Sequence, residues 1–269
     1  MIRPHELPAH YLLALQFFTR IPVTGKLAQW VGYSPAMLRA SAAHFPGVGW
    51  LVGALVAGAS ALLFDVLPPS HYAPLVVAVL GTALGVWLTG AFHEDGLADV
   101  ADGLGGSPER ERALIIMKDS RVGTFGVLAV VLVLLAKVSL LALIGSVSAV
   151  AMCQGLFAAH VVSRMLPLVL IRAMPHVGDT ATTKSKPLAD QISAGRLVVA
   201  VLWSVGALAL VHFAYGDINL IAPVLAAILT LLWMWRLFWR RLQGFTGDCL
   251  GATQQACELA FYFGLALTL

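Results

Sequence analysis

The most chemically suggestive residues are acidic side chains near the end of one apolar segment. Only 12% of the chain is charged, yet Glu94, Asp95, Asp99 and Asp102 fall within nine residues. An α-helix turns by about 100° per residue, so the three aspartates would form one ridge if this stretch is helical. Adjacent like charges destabilise a bare helix, whereas a divalent cation between them makes the ridge favourable. The spacing favours a site for Mg²⁺, Mn²⁺ or Ca²⁺; a solvated polar face is the simpler alternative.

Two glycines share another face of the same predicted helix. Gly96 and Gly103 are seven residues apart, so they lie nearly in line along the helix. Because glycine has no side chain, we expect the backbone of a neighbouring helix, or a ligand, to approach this face closely. His93 points away from the ridge.

The composition indicates helices that cross a membrane. The 269 residues are 59% hydrophobic, the mean hydropathy is +0.85, and the charged fraction is about half that of a soluble domain. We therefore predict an all-α, polytopic helical membrane protein, folded as a single integral-membrane domain over 1–269. About seven segments are predicted to span the bilayer: 43–66, 73–92, 123–145, 149–171, 197–215, 220–238 and 249 to the C-terminus.

The remaining segments are predicted to lie at the membrane surface. Residues 7–20 are apolar but too short to span, which predicts an interfacial helix. The span 73–92 is expected to run straight into the acidic stretch, and 107–121 to form a short surface helix. The net charge of +3 is mild and spread out, which suggests membrane orientation rather than nucleic-acid binding.

The basic residues predict an orientation. All Lys and Arg residues except Lys137 and Arg164 lie on one side, in the N-terminus and the loops 93–121, 172–196 and 236–248. Positive charges favour the cytoplasmic side. We therefore expect the N-terminus and the acidic stretch inside, and the C-terminus outside.

Some charged residues outside the acidic stretch have two interpretations. Lys118, Asp119 and Arg121 suit a phosphorylated substrate beside a metal, or are ordinary cytoplasmic anchors. Asp248 is a first-turn acid of the last predicted span or part of a site. Arg20 is an anchor or a phosphate contact.

Two cations fall inside predicted spans, where charges are expensive and usually paired or functional. Arg164 could reach a buried carboxylate or a substrate phosphate. For Lys137 we expect pairing or snorkelling, because its stem is long and flexible.

In several segments the sequence resembles the cobalamin synthases, the adenosylcobinamide-GDP ribazoletransferases. The most specific is the pattern His-x-Asp-Gly-Leu-x-Asp-x-x-Asp-Gly at 93–103. The resemblance departs at Gln243-Gly244-Phe245, where a Gly-Gly pair is expected. The resembling segments are 17–23, 45–49, 89–104, 116–123 and 246–252.

The resemblance implies a membrane-embedded, Mg²⁺-dependent enzyme, for which Mn²⁺ could substitute. Such an enzyme joins adenosylcobinamide-GDP to α-ribazole, or to its 5′-phosphate, and releases GMP. His93 is the candidate general base, although a carboxylate could serve instead. Catalysis is then expected from His93, Asp95, Asp99 and Asp102. The possible metal ligands are Asp95, Asp99 and Asp102, with Glu94, Asp119 and Asp248. The expected phosphate and substrate contacts are Arg20, Lys118, Arg121, Arg164, Thr246 and Gly247.

Two other functions would also explain acids at a membrane surface. A CDP-alcohol phosphotransferase has a similar row of aspartates, but this chain lacks that family's further Gly-x-x-x-Asp-x-x-x-Asp tail. A transporter with an acidic pathway usually places its acids near the bilayer midplane. The expected location is the inner membrane of a bacterial-type cell. The glycines of the first two spans could pack within a subunit or between subunits of a homo-oligomer.

Overall fold

The computed structural model describes residues 7–178, 192–215 and 218–269. The N-terminal part contains short helices at the start of the bundle. These are α1 (Leu7–Phe18), α2 (Gly25–Val31) and α3 (Pro35–Ser41). Helix α1 has the length expected of an interfacial helix. Part of the predicted loop 172–196 and the residues 216–217 lie outside the described residues.

The helices that follow include long apolar ones, as the composition predicts. They are α4 (Phe45–Val66), α5 (Ala73–Thr89), α6 (Phe92–Gly106), α7 (Arg110–Ile116), α8 (Thr124–Val147), α9 (Ala149–Met165), α10 (Pro167–Ala173), α11 (Ala194–Tyr215), α12 (Ile221–Leu242) and α13 (Gly247–Ala266). Pro167 separates α9 from α10 because proline cannot donate the backbone hydrogen bond that a continuous helix needs. The prediction of a polytopic helical membrane protein is confirmed.

The number of spans differs from the seven predicted. In the described part of the chain, five helical segments are long and apolar enough to cross a membrane, or six if α5 and α6 together make one span. The other predicted span corresponds to α13, which does not meet that criterion. Its polar side chains, including Gln254, Gln255 and Glu258, are buried. Because α13 packs among α6, α8, α9 and α12, it needs no continuous apolar surface towards lipid.

The chain bends sharply where the sequence predicted a straight continuation. Helices α5 and α6 meet at 89°. Gly90 and Ala91 both adopt left-handed backbone conformations, with φ of 68° and 59°. This conformation ends α5, so the acidic helix α6 runs across the direction of α5 instead of extending it.

The outer helices face lipid and the inner helices face one another. Large apolar side chains on α8, such as Leu132 and Leu135, are exposed, and α11 and α12 show the same pattern. Helices α4 and α9 pack closely because Gly53 leaves room for the backbone of Phe157. The acidic helix α6 packs against α8 and α13.

Candidate active site

The backbones of α6 and α13 touch at glycines. A side chain on Gly96 would lie 2.8 Å from the carbonyl oxygen of Asp248 and 3.3 Å from the Cα atom of Gly251. Similarly, a side chain on Gly103 would lie 2.9 Å from the carbonyl oxygen of Ala113 in α7. The close approach expected for this glycine face is confirmed. It brings the start of α6 against the first turn of α13.

Three carboxylates are neighbours at this crossing, and we call Asp95, Asp99 and Asp248 the carboxylate cluster. Asp95 is exposed, while Asp99 and Asp248 are partly buried. Burial, followed by the charges of Asp248, Asp95 and Asp102, raises the pKa of Asp99 to about 7. Within the part of the chain that the structure describes, the charged neighbours that shift this pKa are all carboxylates. The charged groups that act on Asp99 therefore disfavour its ionised form.

The cluster does not form a closed metal site. Among the residues that the structure describes, no three His, Cys, Asp or Glu side chains are arranged to hold a metal ion. The donor chemistry nevertheless fits Mg²⁺ or Mn²⁺, because these ions prefer carboxylate oxygens. Mutual repulsion also favours separated rotamers of bare carboxylates. The metal-binding roles stay predictions for Asp95, Asp99, Asp102, Glu94, Asp119 and Asp248.

Asp102 belongs to the predicted ridge but has different neighbours. Its Oδ2 atom accepts the N–H of Gly123 at 2.7 Å, and its Oδ1 atom accepts the N–H of Gly126 at 2.8 Å. These donors lie at the start of α8, where backbone N–H groups lack helical partners. Asp102 is 8% exposed. In this structure it anchors α6 to α8.

The loop before α13 presents Asp248. The N–H of Phe245 donates to the Pro175 carbonyl at 3.0 Å, and the N–H of Val177 donates to the Phe245 carbonyl at 2.9 Å. The Thr246 hydroxyl donates to Asp248 Oδ2 at 3.2 Å and accepts the N–H of Cys249 at 3.4 Å. This threonine therefore caps α13 and orients its first acid.

That loop also contains the departure from the family pattern. Gln243 has a positive φ of 57°, a conformation that glycine adopts more easily. Gly244 lies against Pro175, and Phe245 is completely buried. The tether to Pro175 thus maintains the loop without a second glycine.

His93 lies at the start of α6, and its side chain is in an aromatic environment. It is 1% exposed, its ring stacks on Phe45 at 5.8 Å, and its Nε2 atom has no hydrogen-bond partner in residues 7–178, 192–215 and 218–269. It lines a cavity of about 30 Å³ together with Leu250 and Gly251. Burial lowers the pKa of His93 well below its usual range. Its role as base stays a prediction.

The predicted phosphate contacts occupy different places. Arg20 is exposed, its N–H donates to the Leu88 carbonyl at 2.7 Å, and its side chain packs where a Gly90 side chain would be. Arg20 therefore lies beside the bend that begins α6. Arg121 forms an exposed ion pair with Asp119 at 2.6 Å, and hydrogen bonds from Arg121 lower the pKa of Asp119 to about 2. Lys118 is exposed as well; Thr246 and Gly247 begin α13 beside Asp248.

Arg164 and Glu94 are buried, at 1% and 8% exposure. Arg164 donates to His160 Nδ1 and to the His160 carbonyl, both at 2.9 Å. Glu94 Oε1 accepts the amide of Gln255 at 3.0 Å. Their predicted contacts with phosphate and metal remain predictions.

Sequence reasoning missed the buried polar residues of α13: Gln255, which contacts Glu94, and Glu258, which contacts Lys137. Lys137 pairs with Glu258 at 2.6 Å, which confirms pairing for that lysine. Because Lys137 and Arg164 fall inside predicted spans, buried acids were to be expected as their partners. Glu258, in the last predicted span, was the available signal.

Comparisons with known proteins agree over nearly the whole chain. Residues 10–266 match the family described as cobalamin-5-phosphate synthase. A relative named adenosylcobinamide-GDP ribazoletransferase, from Albidiferax ferrireducens, is 65% identical over 97% of this chain and 98% of its own length. A relative with the same name from Polaromonas naphthalenivorans is 62% identical over 97% of this chain and 98% of its own length. Another, from Vibrio cholerae, is 40% identical over 94% of this chain and 91% of its own length. No solved structure matches the chain. The chain belongs to the cobalamin-5-phosphate synthase family.

Proposed function

We propose that this protein is an adenosylcobinamide-GDP ribazoletransferase whose active site is the carboxylate cluster. It transfers the phosphocobinamide group of adenosylcobinamide-GDP to a hydroxyl of α-ribazole, or of α-ribazole 5′-phosphate. The names of close relatives support the reaction. The observation that carries the location is the convergence of Asp95, Asp99 and Asp248 where α6 crosses α13.

The reaction is a phosphoryl-type transfer. The α-ribazole hydroxyl forms a new oxygen–phosphorus bond to the phosphorus that bears cobinamide, and the bond to the bridging oxygen breaks. GMP leaves with that oxygen, and the hydroxyl proton passes to a base. Protein groups in such reactions mainly position the reactants and stabilise developing charge.

A divalent metal suits this site. Asp95, Asp99 and Asp248 are the residues that would hold Mg²⁺, with Mn²⁺ as a substitute. When bound, the metal would neutralise charge on the diphosphate. We assign Asp102 to anchoring α8, because both of its oxygens already accept backbone N–H groups.

The proton acceptor is proposed to be His93 or a carboxylate of the cluster. A loss in kcat of about 10²–10⁴-fold in His93→Gln, with KM unchanged, would assign the role to the histidine. Unchanged kcat would assign it to a carboxylate.

Arg20 is the first proposed phosphate contact. It is exposed beside the bend that begins α6, and a guanidinium binds phosphate oxygens in a bidentate manner. Lys118 and Arg121 are proposed as further contacts, because they are exposed near the same end of the bundle.

The proposed location is the inner membrane, with the cluster in the cytoplasm. The proposal rests on the Lys and Arg residues of the loops 93–121, 172–196 and 236–248, because cytoplasmic loops are enriched in these residues. In the variant Ser120→Cys, at an exposed position, the new thiol should be labelled from the cytoplasmic side only. Labelling from the opposite side would reverse the orientation.

The function is tested with purified protein in lipid nanodiscs. With adenosylcobinamide-GDP, α-ribazole and Mg²⁺, we expect GMP and a cobalamin product, detected by chromatography. Asp99→Asn should lower turnover by roughly 10²–10³-fold, the scale seen when one group that stabilises developing charge is removed. Asp65→Asn is the matched control, because Asp65 is exposed at the other end of the bundle, near the end of α4.

Wild-type turnover by Asp99→Asn would remove the cluster from the mechanism. Turnover of CDP-alcohols without turnover of adenosylcobinamide-GDP would instead favour the phosphoalcohol transferase. Solute flux in proteoliposomes without any chemical product would favour a transporter.

A further inference from the structure

A chain of polar side chains extends from the carboxylate cluster into the bundle. All of its members are buried, with exposures from 0% to 8%. Charged groups inside a membrane bundle are expensive, and they usually serve a function. We call this set the buried network: Glu94, Lys137, Ser163, Gln254, Gln255, Glu258 and Tyr262.

The network follows one side of α13. The amide nitrogen of Gln254 donates to Glu258 Oε2 at 2.7 Å and to Ser163 Oγ at 2.9 Å. Glu258 Oε1 accepts Lys137 Nζ at 2.6 Å and the Tyr262 hydroxyl at 2.9 Å. The network thereby connects α13 with α8 and α9.

One hydrogen bond extends the network to the acidic helix. The Gln255 amide nitrogen donates to Glu94 Oε1 at 3.0 Å and to Gln254 Oε1 at 2.9 Å. Glu94 directly precedes Asp95. Gln255 follows Asp248 by seven residues, which is about two turns along the same face. The bond therefore joins the two helices within two turns of the carboxylate cluster.

This bond restricts rotation of α6 about its own axis. At Gly96 the backbones of α6 and α13 touch, which fixes the separation of these two helices, and Asp102 anchors α6 to α8 farther along the helix. The Glu94–Gln255 bond attaches the first turn of α6, which carries Asp95, directly to α13. Because side chains reach about 5–6 Å from a helix axis, a rotation of about 20° would move a carboxylate by about 2 Å. Misplacement by about 1 Å can lower a rate by 10²-fold.

The network is not optimised for stability. Among the residues that the structure describes, the Oε2 atom of Glu94 is buried without a hydrogen-bond partner. Well-packed apolar side chains often stabilise a bundle as well as buried ion pairs do. A purely structural role therefore gives no reason for a carboxylate at Glu94.

We propose that Glu94 and Gln255 are positioning residues for the reaction. Their hydrogen bond holds α6 in the rotation that turns Asp95 and Asp99 towards Asp248. Glu94 acts through this bond and not as a metal ligand. The inference rests on the proposed function of the carboxylate cluster.

The test measures Mn²⁺ binding directly as well as turnover. Titration of the purified protein with Mn²⁺ is followed by electron paramagnetic resonance in the absence of substrate. In Gln255→Leu we expect the Kd for Mn²⁺ to rise about tenfold and kcat to fall about 10–100-fold, as for other residues that orient metal ligands. KM for adenosylcobinamide-GDP should stay within about twofold.

Two further variants separate positioning from stability. Gln154→Leu is the matched control: Gln154 is a buried glutamine of α9 outside the network, so its replacement should leave the Kd for Mn²⁺ unchanged. The exchange Glu94→Gln with Gln255→Glu reverses donor and acceptor between α6 and α13. It should return the Kd for Mn²⁺ to within about threefold of wild type.

The proposal is overturned if Gln255→Leu folds and binds Mn²⁺ with wild-type affinity, or if the exchange recovers only thermal stability. An equal loss in Gln154→Leu would also overturn it. The proposed function fails separately, because in that case the wild-type protein itself would show no Mn²⁺ binding and Asp99→Asn would keep its turnover.

Discussion

The helix pair α6 and α13 carries charge in two regions that differ in balance. In the carboxylate cluster, the neighbours of Asp99 that shift its pKa are all acids. Deeper in the bundle, the acids Glu94 and Glu258 share the interior with the cations Lys137 and Arg164. The deeper region contains both acids and cations, whereas the carboxylate cluster contains acids only. Charge balance therefore separates groups that hold the helices from groups available for chemistry.

The largest expected effect comes from breaking the balance in the deeper region. Lys137→Met removes the partner of Glu258, which is 1% exposed. Leaving one buried charge unpaired should lower the free energy of unfolding by about 3–5 kcal/mol. Thermal denaturation in detergent micelles measures the loss. The double variant Lys137→Met with Glu258→Gln should recover most of it, and a single variant as stable as wild type would show that the ion pair is not needed for balance.

The next effect tests whether the two regions depend on one helix crossing. In Gly96→Ala the new methyl group would lie 2.8 Å from the Asp248 carbonyl oxygen, so α6 and α13 must separate. Overpacking of this kind should lower the free energy of unfolding by about 1–3 kcal/mol, and turnover should fall as well. Both are measured on the same purified sample.

Gly58→Ala is the matched control for that substitution. Gly58 also lies within a helix, but an added side chain there would meet no atom of the described residues within 4 Å. Stability should be unchanged or higher, because alanine favours helix more than glycine does. Equal losses in both variants would show that the α6–α13 crossing tolerates a side chain.

The sequence predicted the local part of this arrangement. Helical spacing placed the aspartates on one ridge, and Gly96 and Gly103 marked the faces where other backbones approach. Those features depend on residues close together in the chain. The partners do not: Asp102 anchors α8 through Gly123 and Gly126, which only tertiary packing brings near.

Two other differences have causes that a hydropathy pattern does not contain. The bend between α5 and α6 depends on left-handed backbone at Ala91 as well as Gly90, and alanine gives no sign of it. Helix α13 was predicted as a span from its length and apolar residues. Its polar residues Gln254, Gln255 and Glu258 have partners on other helices. The sequence does not show which residues these partners are, because they are distant in the chain.

A smaller effect is expected in the loop that presents Asp248. Gln243 ends α12 with φ of 57°, and a left-handed non-glycine residue costs about 1–2 kcal/mol. Gln243→Gly should therefore raise the free energy of unfolding by about 1 kcal/mol, after allowance for the greater freedom of glycine in the unfolded chain. Denaturation of the paired proteins measures the gain. Turnover should stay unchanged, since Phe245 remains tethered to Pro175; lower turnover would mean that Gln243 itself contributes to the site.

The smallest expected change in stability concerns the cluster itself and has the opposite sign to that of Lys137→Met. Asp99→Asn removes one of several neighbouring like charges, and each such pair on a helix costs about 0.2–0.5 kcal/mol. In the absence of metal, the variant should be as stable as wild type or more stable by about 0.5 kcal/mol, although its turnover is lost. Denaturation with a chelator present measures this difference. A clear loss of stability would mean that Asp99 has a structural partner, and charge balance would then no longer distinguish the two regions.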